Sequence, residues 1–124
     1  MNLNQITLFS TRPVETVAFF ELLGLRRIVD SLPRYARLEC PDGEATLSVN
    51  TIGEDSANTT IIYFECEHLD DEVARLKSLG LEFEQEPTDT PWLWRQAYLR
   101  DPNGNKICLF NAGDNRKNPP WRIN

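Results

Sequence analysis

The sequence predicts an α+β domain made of two copies of a strand–helix–three-strand unit, and three observations carry that reading. The first is a block repeated at a spacing of 56 positions: Leu23-Gly24-Leu25 recurs as Leu79-Gly80-Leu81. At the same spacing Ile6 matches Ile62, Leu8 matches Phe64, Val17 matches Val73 and Ala18 matches Ala74. The second is a block repeated at 61 positions around Pro41-Asp42-Gly43 and Pro102-Asn103-Gly104. It pairs Arg34 with Arg95, Ala36 with Ala97, Leu38 with Leu99 and Asn50 with Asn111. The third is that both blocks keep the same order and are framed by turn residues. Self-similarity of this kind marks a duplicated supersecondary unit. The two spacings differ by five residues, which predicts an insertion in the loop holding Pro87 to Pro91.

Each element follows from local pattern. Gln5 to Phe9 alternates, with Ile6 and Leu8 on one face, as in a half-buried strand. Pro13 opens a helix, because its fixed φ suits the first turn. Val14, Val17, Ala18 and Leu22 form its apolar stripe, and Gly24 closes it. Three short strands are expected at about 26–30, 34–40 and 45–50. The second unit repeats this with a strand at 60–65 and a helix that begins on Asp70-Asp71-Glu72, acidic residues that favour a helix N-terminus. Its stripe of Val73, Leu76 and Leu79 ends at Gly80, and strands follow at about 81–85, 95–100 and 105–110. Pro41-Asp42-Gly43 and Asp101-Pro102-Asn103-Gly104 supply tight turns before the last strand of each unit. The boundaries are module one at 1–53, module two at 58–111 and a tail at 112–124, all within one domain.

Bulk properties exclude several function classes. A chain of 124 residues, 40% apolar and 26% charged, can bury an ordinary core without staples. A net charge of −6 argues against nucleic acid and against anionic membranes as partners, since phosphate contacts require a basic surface. No apolar run approaches a membrane span, and Met1 to Thr7 has no signal-peptide character. Cys40, Cys66 and Cys108 are odd in number and widely spaced, which predicts free thiols in a reduced, cytoplasmic protein.

The paired units, with Ala18-Phe19-Phe20-Glu21-Leu22-Leu23-Gly24-Leu25, Tyr35-Ala36-Arg37-Leu38, Leu76-Lys77-Ser78-Leu79-Gly80 and Asp101-Pro102-Asn103-Gly104-Asn105-Lys106-Ile107, resemble the vicinal oxygen chelate superfamily. That superfamily includes glyoxalase I, extradiol dioxygenases, fosfomycin resistance enzymes and bleomycin resistance proteins. The resemblance runs from residue 1 to about 111. It implies two βαβββ modules forming a curled mixed sheet around a cavity, with helices outside, a homodimer, and in many members a divalent metal held by His, Gln or Glu.

The same resemblance places metal ligands at four positions, on the first and last strand of each module. Here they fall on Gln5, on its repeat mate Ile61, on Cys108, and on Leu47 or Ser48. The spacing of 61 selects Leu47, whereas strand alternation favours Ser48, and both stand at this stage. A divalent metal needs three or four N, O or thiolate donors converging at about 2 Å. Ile61 offers none, and a buried Cys108 without a cationic neighbour stays protonated. The single histidine, His68, reads as an exposed helix-start residue, with Glu65 and Glu67 near it at the rim. No metal or other cofactor is therefore expected.

Other residues give the cavity its character. Trp92 and Trp94 can stack on a flat ligand, plug the end of the sheet or line a dimer contact. Arg95 and its mate Arg34 suit a carboxylate or, equally, surface acids. Tyr35 and Tyr63 are candidates for hydrogen bonding at the wall, Tyr63 sharing the face of Ile61. Cys108 as a nucleophile would lack an activating histidine. In the tail, Pro119-Pro120 favours an extended path, and Trp121 and Ile123 call for burial across this domain or on a second subunit. The sequence thus favours a small-molecule-binding protein without a cavity metal. Its rivals are a metal-dependent lyase or dioxygenase and a structural dimer with a filled cavity.

Overall fold

The computed structural model describes residues 1–22, 24–53, 60–100 and 105–123. Module one comprises β1 (Asn2–Ser10), α1 (Pro13–Leu22), β2 (Arg26–Ser31), β3 (Tyr35–Glu39) and β4 (Thr46–Thr51). Module two comprises β5 (Ile61–Glu65), α2 (Leu69–Ser78), β6 (Gln85–Asp89), β7 (Arg95–Arg100) and β8 (Lys106–Asn111), followed by a short 3-10 turn at Gly113–Asn115. The eight strands form one curled, unclosed mixed sheet in the order β2-β3-β4-β1-β5-β8-β7-β6. The modules meet where β1 and β5 run antiparallel, while β1 pairs parallel with β4 and β5 parallel with β8. The two halves of the sheet therefore repeat one topology.

Both helices lie on the convex side. Val17 of α1 packs with Ala36, Leu38 and Val49, the outward-facing residues of β3 and β4. Leu69 and Val73 of α2 pack with Ala97, Leu99 and Leu109 of β7 and β8. Both helices end in the same way. Gly24 and Gly80 take positive φ (104° and 98°), a conformation that favours glycine, and Leu25 N–H and Leu81 N–H donate back to Phe20 O and Leu76 O. Strand alternation leaves the opposite set of side chains, with Gln5, Thr7, Tyr35, Arg37, Ser48, Tyr63, Gln96 and Cys108 among them, on the concave side.

One strand differs from expectation. The segment 81–85, whose Leu81 and Phe83 alternate, is not the sixth strand. Phe83 tucks into the cluster beneath α2, and the ladder begins with Glu84 N–H donating to Tyr98 O at 2.8 Å. The strand proper is Gln85–Asp89 and carries Pro87, which an edge strand tolerates. The five-residue insertion is thus not confined to a loop at 87–91: it lengthens the segment before β6 and the turn after it. A second difference settles a register. Six residues separate β3 from β4 but five separate β7 from β8, so the spacing between modules falls from 61 in β7 to 60 in β8. The structural mate of Cys108 is accordingly Ser48, and Leu47 faces the other way. The tight turn expected at Asp101 to Gly104 lies outside the described residues.

The tail binds the same chain. Arg116, buried, donates to Asn4 O at 3.2 Å and Thr46 Oγ1 at 3.1 Å, and its Nε lies 3.6 Å from Glu65 Oε1. Burial pushes the Arg116 pKa down, against the raising influence of Glu65. Arg122 pairs with Glu39 (3.2 Å), and Ile123 N–H donates to Ile28 O on edge strand β2 at 2.8 Å. Trp121 and Ile123 nevertheless stay 42% and 40% exposed, so these contacts, and not burial of the two apolar residues, hold the strap.

The strap has an acid-sensitive anchor. The hydrogen bond from Arg122 holds the Glu39 carboxyl below its ordinary value of 4.5, with smaller help from the charge of Lys117. A depressed carboxyl contributes stability above its unfolded value and loses it as pH falls through the folded value. Tryptophan emission from Trp121 is therefore expected to change as pH drops below 4.5, and Glu39→Gln should abolish that step. At neutral pH the same substitution should cost about 0.5–1 kcal/mol in urea unfolding.

Candidate functional site

The concave face encloses a cavity of about 540 Å³. Its floor is built by alternation, two residues per strand. Gln5 and Thr7 come from β1, Tyr35 and Arg37 from β3, and Ser48 and Asn50 from β4. Ile61 and Tyr63 come from β5, and Gln96 and Tyr98 from β7. Trp94, from the turn before β7, closes the wall, and the exposed Arg34, Trp92 and Trp121 stand at the mouth.

Superposing the repeat reveals an asymmetry. Gln5, Thr7, Tyr35, Arg37, Ser48 and Asn50 in module one correspond to Ile61, Tyr63, Gln96, Tyr98, Cys108 and Phe110 in module two. One half of the floor is polar. The other is predominantly aromatic and packs as a cluster of Ile61, Tyr63, Trp94, Cys108 and Phe110.

The polar half is tightly hydrogen-bonded. Gln5 Nε2 donates to Ser48 Oγ at 2.9 Å, and Gln5 Oε1 accepts from Thr46 Oγ1. Ser48 Oγ also lies 2.7 Å from Tyr35 Oη, which accepts from Arg37 Nε at 2.9 Å. Arg37 Nη1 donates to Arg116 O at 2.9 Å, and its guanidinium sits 4.7 Å from the Trp94 ring centroid. The opposite face of Trp94 stacks on Phe110 at 4.8 Å. Both faces of Trp94 are thus covered, and it presents its edge to the cavity. Its indole N–H donates to Asn115 O at 3.2 Å.

The aromatic half holds its titratable groups neutral. Burial pushes the Tyr63 hydroxyl up to about 12, against the hydrogen bond from Thr7, and raises Tyr98 further. Burial likewise pushes the Cys108 thiol up to about 12. Cys108 is fully buried behind the floor and does not line the open space. Arg95 stands outside as well: its guanidinium grips Asp70 of α2 through both carboxylate oxygens (2.9 and 3.1 Å) and reaches Asp89 at 2.9 Å. Those bonds raise its pKa.

Of the residues singled out in the sequence, the structure brings Gln5, Tyr35, Ser48, Ile61, Tyr63, Trp92, Trp94 and Arg34 around one space. Sequence reasoning passed over Thr7, Arg37, Asn50, Gln96, Tyr98 and Trp121. Strand period offers a signal for three of them, because Thr7 and Arg37 lie two residues from Gln5 and Tyr35, and Asn50 two from Ser48. Trp121 has no such signal, since only the path of the tail brings it back.

The four ligand positions implied by the resemblance do not fit a divalent metal. Gln5 and Ser48 are engaged with each other and with Thr46 and Tyr35, Ile61 has no donor atom, and Cys108 keeps its proton. Among the described residues no three His, Cys, Asp or Glu side chains converge. Glu65 is engaged in fastening the tail, accepting from Ala112 N–H and Gly113 N–H at 2.7 and 2.9 Å, and His68 is the exposed residue before α2.

A duplicated βαβββ sheet curled around one concave site is the framework of a well-defined protein class. The chain belongs to the Glyoxalase/Bleomycin resistance protein/Dioxygenase superfamily, whose family model matches residues 2–109. Solved structures share the fold at low identity. A superfamily member from Vibrio splendidus 12B01 is 13% identical with a TM-score of 0.68, over 86% of this chain and 95% of that one. A hypothetical protein from Bacillus halodurans C-125 is 17% identical with a TM-score of 0.70, over 89% and 93%. The Mn(II)-bound glyoxalase from Novosphingobium aromaticivorans is 18% identical with a TM-score of 0.70, over 89% of this chain but 37% of that one. No curated protein matches the chain. No helix among the described residues is long and apolar enough to cross a membrane.

Proposed function

We propose that this protein binds a small organic molecule in its concave cavity without a divalent metal. The observation that carries the reading is the chemistry of the four ligand positions: a hydrogen-bonded amide, a hydroxyl, an isoleucine and a protonated thiol. The space has the size of a small-molecule site, and its mix of apolar walls with a few placed polar groups is typical of one. Gln5, Tyr35, Ser48, Ile61, Tyr63, Trp92 and Trp94 form the proposed contact surface, with Arg37 added. Arg95 and Cys108 lie outside this lining.

The test is elemental analysis of protein purified without chelator, followed by calorimetry with Ni²⁺, Zn²⁺ and Mn²⁺. The expected outcome is no stoichiometric metal, and stoichiometric binding at micromolar affinity or tighter would restore the metalloenzyme reading.

The proposal extends to a reduced, cytoplasmic homodimer that binds neither nucleic acid nor membrane. Free Cys40, Cys66 and Cys108 and the net charge of −6 support the compartment and the excluded partners. The homodimer is supported by apolar residues left on the outer side of α1, where Val14, Phe19 and Leu22 are all exposed. Light scattering should report twice the chain mass, and Phe19→Glu should return it to one.

A further inference from the structure

We infer that the ligand is a planar monoanion, an aromatic carboxylate, whose carboxylate meets Arg37 and Arg34 while its ring lies against the aromatic half of the floor. This rests on the proposal that the cavity binds a small molecule, and adds the chemical class.

Arg37 is 4% exposed, yet among the described residues no carboxylate lies within ion-pair distance of it. Its partners are Tyr35 Oη, the carbonyls of Asn115 and Arg116, and the face of Trp94. These satisfy Nε and Nη1 and orient the plane, but none carries a charge, and Nη2 has no acceptor among the described residues. A buried guanidinium without a counter-ion is costly, and a ligand carboxylate at Nη2 would supply one. Arg34, at the mouth of the same cavity, likewise has no acidic partner among the described residues.

The lining reinforces this. The chain has 19 acidic residues against 13 basic ones, yet among the described residues no Asp or Glu lines the cavity and two arginines do. The wall adds no hidden anion, because burial keeps Tyr63, Tyr98 and Cys108 protonated. Among the described residues, an acidic protein thus lines its cavity with arginines and with no carboxylate.

Polar residues on one half face predominantly aromatic ones at equivalent positions on the other, and Arg37 sits on Trp94 where the halves meet, so a ligand on the floor meets the cation from one half and the rings of the other. Trp94 is covered on both faces, so stacking falls to Trp92 and Trp121 at the mouth, which have no ring partner among the described residues. A flat, singly charged carboxylate matches both halves. A cationic ligand would be repelled by both arginines.

Calorimetry with matched probes tests this on the full chain. The probes are benzoate and 2-naphthoate, their amides benzamide and 2-naphthamide, and the cations benzylamine and 2-naphthylmethylamine. The expected order is carboxylate over amide by about tenfold or more, with the cations weakest. Arg34→Gln, at an exposed position, should weaken the carboxylates several-fold and leave the amides unchanged. Arg37→Gln should remove the carboxylate preference, and if that variant does not fold, Arg34→Gln and the charge series still decide. Amides binding as tightly as carboxylates would overturn the assigned class and leave the small-molecule reading standing. Heat from none of the six probes would overturn both.

Discussion

Phe110→Ala is expected to lower the unfolding free energy by about 3–5 kcal/mol, the cost of emptying a core site of an aromatic ring. Phe110 is fully buried, stacks on Trp94 at 4.8 Å and meets Tyr63 edge-to-face at 5.6 Å. It also forms the base of a column, Phe110–Trp94–Arg37, in which each layer fixes the next. Removing the base should therefore lower the melting temperature by more than about 10 °C and loosen the guanidinium above it. Trp92→Ala is the matched control, because Trp92 is exposed and its loss should stay within about 0.5 kcal/mol. Urea unfolding of both variants checks the pair. Similar midpoints for the two would contradict the column.

Deleting residues 115–124 is expected to cost a further several kcal/mol, on the order of 3–5, although only one of the segment's last four residues, Arg122, contributes side-chain hydrogen bonds or ion pairs among the described contacts. The reason is what the tail leaves behind. Arg37 loses the carbonyls of Asn115 and Arg116, and Trp94 loses its indole acceptor. Glu65 loses the charge of Arg116, and β2 loses the cover of Ile123. Unpaired buried polar groups cost more than the bonds that satisfied them contributed. A shorter deletion from Asn118 onward keeps Asn115 and Arg116 and should cost about 1 kcal/mol, the worth of the Glu39 pair and one edge hydrogen bond. Equal midpoints for the two truncations would show that the strap acts only through its end.

Several features were legible in the sequence because they depend on neighbours along the chain. Both helices and their glycine ends were legible, the ends from one residue type that accepts positive φ. The apolar stripes were not: of Val14, Val17, Ala18 and Leu22 only Val17 is buried, and Leu79 of the second stripe is exposed. The inward position of Ser48 followed from alternation, where the spacing of 61 pointed to Leu47, because a repeat spacing cannot register a one-residue change in a turn before it is crossed. The strand expected at 81–85 was not legible, since alternation cannot distinguish a strand from a loop whose Phe83 is drawn under a helix. Arg34 and Arg95 looked equivalent as repeat mates. Yet α2 presents Asp70 to Arg95, whereas Arg34 has no acidic partner among the described residues.

The sequence by itself determined the duplication and the order of its elements, because each is a property of residue identity at fixed spacing. Only the tertiary structure decided that Arg34 and Arg37 line the cavity while no Asp or Glu among the described residues does. The sequence marks Arg37 only as part of Tyr35-Ala36-Arg37-Leu38. Arg37 becomes a buried cation only when β3 curls inward, the tail returns from module two to cover it, and no carboxylate among the described residues stands beside it. Charge in a sequence is a sum, whereas a binding site is set by which charges the fold places together in low dielectric.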